Sequence, residues 1–206
     1  MAIKCSGKVK KLSMAAVVVA GLAVILYGGG HYHIKNSGIT LSPSRDYPAR
    51  EVAYYLQFDP AWAQDLIGES LSSMAGAGCL ISAVASSADA LGFSVNPKEL
   101  NRKLTEAGAY AGDRLIWNRL GQVVPGLDYS YRRLFYSGTI ESDLKRGRLP
   151  IVNVKFFGDG VTHWVLIVGA KDGEFLIYDP ANSGQEYLPL SRHGKVYAYR
   201  VLEKSR

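Results

Sequence analysis

The apolar rhythm of the chain changes twice. Leu12 to Tyr27 is uncharged and almost wholly apolar, and Gly28, Gly29 and Gly30 follow it. Residues 31–50 are polar, carry Gly38, Pro43 and Pro48, and read as a linker. From residue 51 the apolar positions recur at helical spacing. Ile81, Val84, Ala85 and Ala88 predict a helix over Leu80 to Leu91, opening after the small-residue loop Met74 to Cys79 and stopping at Gly92. Asn96, Pro97 and Glu99 form a helix start, with Asn as cap and Pro at the first helical position; Leu100, Leu104 and Ala107 then share one face. Two further helices are expected, from Asp113 to Leu120 and from Thr139 to Arg146, the second stopped by Gly147. After Pro150 the period becomes two. Ile151 to Phe156, Trp164 to Ala170, Glu174 to Tyr178 and Val196 to Leu202 read as strands, with Lys171, Asp172 and Gly173 as a hairpin turn. Short turns between neighbouring strands predict an antiparallel sheet. Helices first and strands later predict an α+β fold.

Composition narrows the picture. The 206 residues are 48% hydrophobic and 20% charged, which excludes a disordered chain and suits one folded domain. Two cysteines exclude a disulfide scaffold, and one long apolar run excludes a bundle of membrane spans. The net charge of +6 is concentrated at the start: Lys4, Lys8, Lys10 and Lys11 meet no acid before residue 31. The rest is nearly balanced and lacks the basic face that nucleic acid requires, so no nucleic-acid partner is expected. A basic start followed by an apolar run predicts an export signal or signal anchor. The lysines would stay in the cytoplasm and the remainder would be exported. The expected organisation is a signal peptide or anchor over 1–30, a linker over 31–50 and a domain over 51–206. The domain would face the periplasm or exterior from the inner membrane, or be secreted if the leader is cut.

Cys5 falls in the leader, so Cys79 is the one cysteine of the exported part. A lone cysteine is often a small core residue. This one stands at the first turn of a predicted helix, where backbone N–H groups favour a thiolate; Gly78 would clear the approach to its sulfur. Of the four histidines, His31 and His33 fall in the linker and His193 in a polar turn; His163, at the start of a strand, is the one a sheet could hold as a base. Asp179 ends the next strand across the hairpin and so comes beside His163. It could orient the imidazole, although an Asp-Pro turn needs no function. The order is Cys on a helix start, then His, then Asp on adjacent strand ends.

These elements resemble the papain-like cysteine peptidases of the bacteriocin-processing, double-glycine-leader type, in a stand-alone form. The likeness spans about residues 53–202. It rests on Tyr54-Tyr55-Leu56-Gln57-Phe58-Asp59-Pro60-Ala61-Trp62, Ala77-Gly78-Cys79, Asn96 to Leu100, Gly147 to Val152, His163 to Gly169 and Tyr178-Asp179-Pro180. It implies a helical N-terminal half, with the cysteine at a helix start, packed on a C-terminal antiparallel sheet. It also implies that Cys79 attacks a peptide carbonyl, that His163 moves the proton and that Asp179 orients His163. Gln57 would complete the oxyanion hole, with Gln64 as competitor. The substrate would be a peptide or protein. Leu80 departs from the small residue usual after the cysteine, and no phosphate-loop motif of a transporter ATPase occurs.

Other chemistries share this order. A transglutaminase-like acyl transferase uses the same three residue types, and a cell-wall endopeptidase the same layout. From another class come a non-catalytic peptide-binding module and a membrane-tethered scaffold. No cofactor motif appears, and the dispersed histidines match no metal-ligand spacing, so neither cofactor nor metal is expected. Oligomeric state leaves no mark in the sequence.

Overall fold

A computed structural model describes residues 14–205; the lysines and Cys5 of the expected leader lie outside them. Helix α1 (Met14–Ser37) comes first. The short α2 (Met74–Ala77) runs into α3 (Cys79–Asp89), and α4 (Pro97–Glu106) follows. A small hairpin, β1 (Tyr110–Ala111) and β2 (Arg114–Leu115), precedes α5 (Leu120–Val123), β3 (Leu127–Tyr131) and α6 (Ser137–Lys145). The chain then forms β4 (Pro150–Lys155), β5 (Thr162–Lys171), β6 (Glu174–Tyr178), β7 (Leu188–Pro189) and β8 (Val196–Lys204). Six strands make one antiparallel sheet in the order β3-β8-β4-β5-β6-β7. The fold is α+β, a helical first half on an antiparallel sheet.

Each face of the sheet is covered. On one face, Ile81, Val84, Ala85 and Ala88 of α3 meet Ile151, Leu166, Val168, Tyr178 and Leu202, with Leu100 and Leu104 of α4 behind them. These are the helical positions that periodicity selects. Asn96 caps α4 as expected, its side chain accepting from the Glu99 N–H at 2.9 Å. The other face, built on Val152, Val165, Ile167, Phe175 and Tyr199, is covered by Ile140 of α6, by Ile34 of α1 and by Leu41 and Tyr47.

Residues 31–50, expected as a linker, are part of this packing. Residues 31–37 continue α1, and residues 38–50 lie along the sheet as a strap. Ile39 exchanges backbone hydrogen bonds with Val196, and Tyr47 with Ala170. The Arg50 N–H donates to the Val168 carbonyl, so the strap takes over the edge of β5 where β4 has not yet begun. Glu141 of α6 is buried and accepts from the Ser44 N–H at 2.6 Å, the Ser44 hydroxyl at 2.9 Å and the Tyr47 hydroxyl at 3.0 Å. Polar composition hid this segment because its contacts are backbone bonds and one buried carboxylate, which leave no apolar period.

A second expectation is corrected at Asp113 to Leu120. Gly112, at φ +66°, turns the chain back after Ala111, and Ala111 pairs with Arg114 across a two-residue loop. A hairpin therefore replaces the first turn of the expected helix; Trp117–Arg119 is a 3₁₀ turn and only Leu120–Val123 is α-helical.

Gly169 shows how closely the strap lies. A Cβ there would stand 2.7 Å from Ala49 Cα and 2.9 Å from the Tyr47 carbonyl oxygen. Gly169→Ala is therefore expected to lower stability by about 1–3 kcal/mol, the usual cost of overpacking. Hydrogen exchange on the full chain locates the effect: protection of the Tyr47 and Arg50 amides should fall by more than that of the α3 amides.

Candidate active site

Ser73 caps α2, its hydroxyl accepting from the Gly76 N–H, and Gly78 breaks the helix so that α3 begins at Cys79. The reason for glycine is tighter than clearance above the sulfur. A Cβ on Gly78 would stand 2.4 Å from the Met74 carbonyl oxygen and 3.0 Å from Met74 Cα, so a side chain would push the two helices apart and move Cys79. Cys79 is 7% exposed and sits against the sheet end that carries His163.

His163 is 4% exposed, at the second residue of β5, and Asp179 is 2% exposed, one residue past β6. His163 Nε2 stands 2.7 Å from Asp179 Oδ1. That nitrogen is committed to the carboxylate, which leaves Nδ1 as the ring's other polar atom. Burial opposes a charge on His163, but Asp179 and then Cys79 favour it more strongly, and the imidazole pKa is raised to about 9. Burial would raise the Asp179 carboxyl; hydrogen bonds from His163 and His193 outweigh it and hold the group well below the usual carboxylate range.

His193 is the residue that sequence reasoning missed. Its polar turn folds under the sheet end, where the ring is wholly buried. Nε2 stands 3.0 Å from Asp179 Oδ2, and Nδ1 accepts the Phe157 N–H at 3.1 Å. The second bond fixes the tautomer: with Nδ1 an acceptor, the ring proton sits on Nε2 and is donated to Asp179. The Ala181 N–H adds a bond of 2.8 Å to Oδ1. Phe157 itself has φ 53°, a left-handed backbone unusual for a bulky residue, held where its N–H meets His193. The only signal in the sequence was that His193 is one of just four histidines.

Among the described residues, the ligand atoms of His163, Asp179 and His193 are the ones close enough to hold a metal ion, all within 4.8 Å of one another. Both Nε2 atoms already face separate carboxylate oxygens at hydrogen-bond distance. An ion would have to displace the protons that account for those bonds.

Cys79 and His163 line a cleft of about 920 Å³ together with Gln57, Asn153, Trp164 and Arg200. Gln57 Nε2 donates to the Ala75 carbonyl at 2.7 Å, which leaves its second amide hydrogen unassigned, and its backbone N–H donates to the Pro180 carbonyl at 2.9 Å. Its Oε1 is buried without a partner. Gln64, the competitor, is exposed and lies outside the cleft. The structure thus brings Cys79, His163, Asp179 and Gln57 to one place, adds His193 and leaves out Gln64.

No protein-family model matches the chain, and no curated protein matches it. Among solved structures, a protein of Bacillus anthracis described as a "putative C39-like peptidase" is similar over 79% of this chain and 99% of its own, with a TM-score of 0.55 and 11% identity. At that identity the likeness concerns the fold: an α+β architecture of the papain-like type.

The histidine shift has a definite sign. A pKa raised from 6.5 to about 9 means that the His163 contribution to stability is complete below pH 6.5 and is lost as pH rises through about 9. In histidine-selective NMR spectra of the full chain in detergent micelles, the His163 signals should titrate near pH 9. Asp179→Asn removes the strongest raising influence, so the midpoint should move to lower pH.

Proposed function

We propose that the protein is a thiol peptidase that hydrolyses peptide bonds through Cys79, His163 and Asp179, with its domain held outside the cytoplasm by α1. The observation that carries this reading is the cleft itself: a cysteine at a helix start, against a buried histidine whose far nitrogen is fixed by a carboxylate.

The chemistry follows from that placement. Cys79 Sγ, its proton on His163, attacks the carbonyl carbon of a peptide bond and forms a C–S bond. The negative charge that develops on the carbonyl oxygen is met by the Cys79 N–H, which as the first N–H of α3 has no helical partner, and by the free hydrogen of Gln57 Nε2. His163 gives its proton to the amide nitrogen as the C–N bond breaks, and the amine leaves. A water then loses a proton to His163, attacks the thioester and releases the acid, and the proton returns to Cys79. Asp179 keeps the ring oriented throughout, and His193 keeps Asp179 oriented.

Ala16–Ser37 is a helix long and apolar enough to cross a membrane by length and composition, and its first turns are exposed in the structure. In this reading the exposed part of that helix, before the turns that pack on the sheet, is the anchor.

The test is alkylation of Cys79 by iodoacetamide as a function of pH, read by mass spectrometry on the peptide that contains Cys79 so that Cys5 does not contribute, in the full chain and in His163→Ala. Rapid alkylation at pH 6, slowed about tenfold or more by the substitution, is expected of a thiolate held by an imidazolium. A single midpoint near the free-thiol value of about 8.5 in both proteins would overturn the peptidase reading in favour of a peptide-binding module.

A further inference from the structure

Arg200 is a cation that the fold half-buries without giving it an anion. It lies on β8, opposite Tyr131 of β3 on one side and Ile151 of β4 on the other. Its Cζ stands 3.8 Å from the Tyr131 ring centre and 5.3 Å from that of Trp117, whose ring in turn lies 6.2 Å from Trp164. Nη1 donates to the Tyr199 carbonyl at 3.1 Å, while Nε is buried with no partner. Among the described residues no carboxylate pairs with it; burial pushes its pKa down and only tyrosines oppose that. The aromatic rings offset part of the desolvation cost. Tyr131 also hydrogen-bonds the guanidinium, and the donors that remain on this planar group match a planar oxyanion.

The position ties this cation to the reaction cleft, which Arg200 lines together with Cys79 and His163. Trp164, next to His163, is in register with Asn153 and through it with Ala198, two residues before Arg200 and on the same sheet face. By strand geometry Arg200 stands about 12 Å from Trp164, a reach of no more than about four residues of extended peptide. The other charged groups on the wall favour the same ligand. Lys35 and Arg114 are in no ion pair among the described residues, and the one lining acid, Asp113, accepts from the Ser72 hydroxyl at 3.0 Å.

We propose that Arg200 is the anchor of a carboxylate subsite in the cleft, so that the peptide bound there carries an acidic group within about four residues of the part that lies over Trp164, beside His163. The inference rests on the peptidase reading and names its substrate class. An aspartate or glutamate side chain and a free C-terminus offer the same group, and the test separates them.

The test measures binding, by fluorescence anisotropy, to the full chain carrying Cys79→Ala, so that turnover plays no part. The probes are labelled, N-acetylated and C-amidated ten-residue peptides of glycine, alanine and serine with one glutamate moved through every position, their glutamine twins, and an uncharged peptide with a free C-terminus. A glutamate at one position should bind about tenfold more tightly than its glutamine twin; a gain confined to the free C-terminus would support the same subsite with the terminal carboxylate as ligand. Adding Arg200→Met should abolish either preference, and Arg200→Lys should keep part of it. Should Arg200→Met fail to fold, the twin comparison and Arg200→Lys still decide. No carboxylate preference in any peptide, or one that survives Arg200→Met, would overturn the subsite. The same peptides incubated with the intact Cys79 protein separate the two readings. Carboxylate-dependent binding without cleavage leaves the subsite and counts against the peptidase; cleavage without preference does the reverse.

Discussion

The candidate site depends on one carboxylate. Asp179 is buried, and a buried anion is costly unless its oxygens are bonded. Here three donors reach it: His163 and the Ala181 N–H on Oδ1, and His193 on Oδ2. Each comes from a different stretch of chain. His163 begins β5, Ala181 belongs to the turn after β6, and His193 precedes β8. His193 carries the connection further, because its other nitrogen takes the Phe157 N–H and so fixes the turn between β4 and β5. The ends of the central strands are thus tied to a single charged group. The same group sets the imidazole orientation, so the constraint that holds this edge together also arranges the chemistry.

The two halves of the site were legible to different degrees, for physical reasons. Cys79, His163 and Asp179 were readable because each sits where local pattern changes: a glycine break before an amphipathic helix, the first residues of an alternating strand, the end of the next strand. The hairpin at Asp172 and Gly173, both with positive φ, then fixes the placement of His163 relative to Asp179. His193 had no such marker. Its burial comes from the way a polar turn closes under the sheet, a tertiary effect that no window of sequence contains. Arg200 was hidden differently, since a cation at an alternating strand position reads as a solvated residue until the rings around it are placed.

The fold shows the same division. The α3 and α4 faces and four of the strands follow from periodicity, because packing against a sheet demands it. The strap at residues 38–50 does not, because it is held by backbone bonds and by Glu141. The expected helix at Asp113 failed at Gly112, where a left-handed glycine made a turn of what spacing alone would continue as helix. β3 was overlooked although Leu127, Tyr129 and Tyr131 alternate, since its two polar partners, Asp128 and Ser130, leave only a short signal.

The docking of α1 bears on what the cleft can reach. A flexible linker would leave the domain free to move relative to the apolar part of α1. Instead the last turns of the helix are packed: Ile34 is buried, the His31 ring meets the Arg133 carbonyl at 3.2 Å, and Lys35 lines the cleft. The exposed apolar stretch ends near Tyr27, and at 1.5 Å per residue Lys35 lies about 12 Å further along the axis. With that stretch in a bilayer, the cleft mouth would stand close to the membrane surface at a height set by a rigid helix. Lys35 lines the same cleft as Arg114 and Arg200, so the end of the helix adds to the positive charge of that wall, and a cleft lined by one sign of charge raises the local concentration of an oppositely charged ligand.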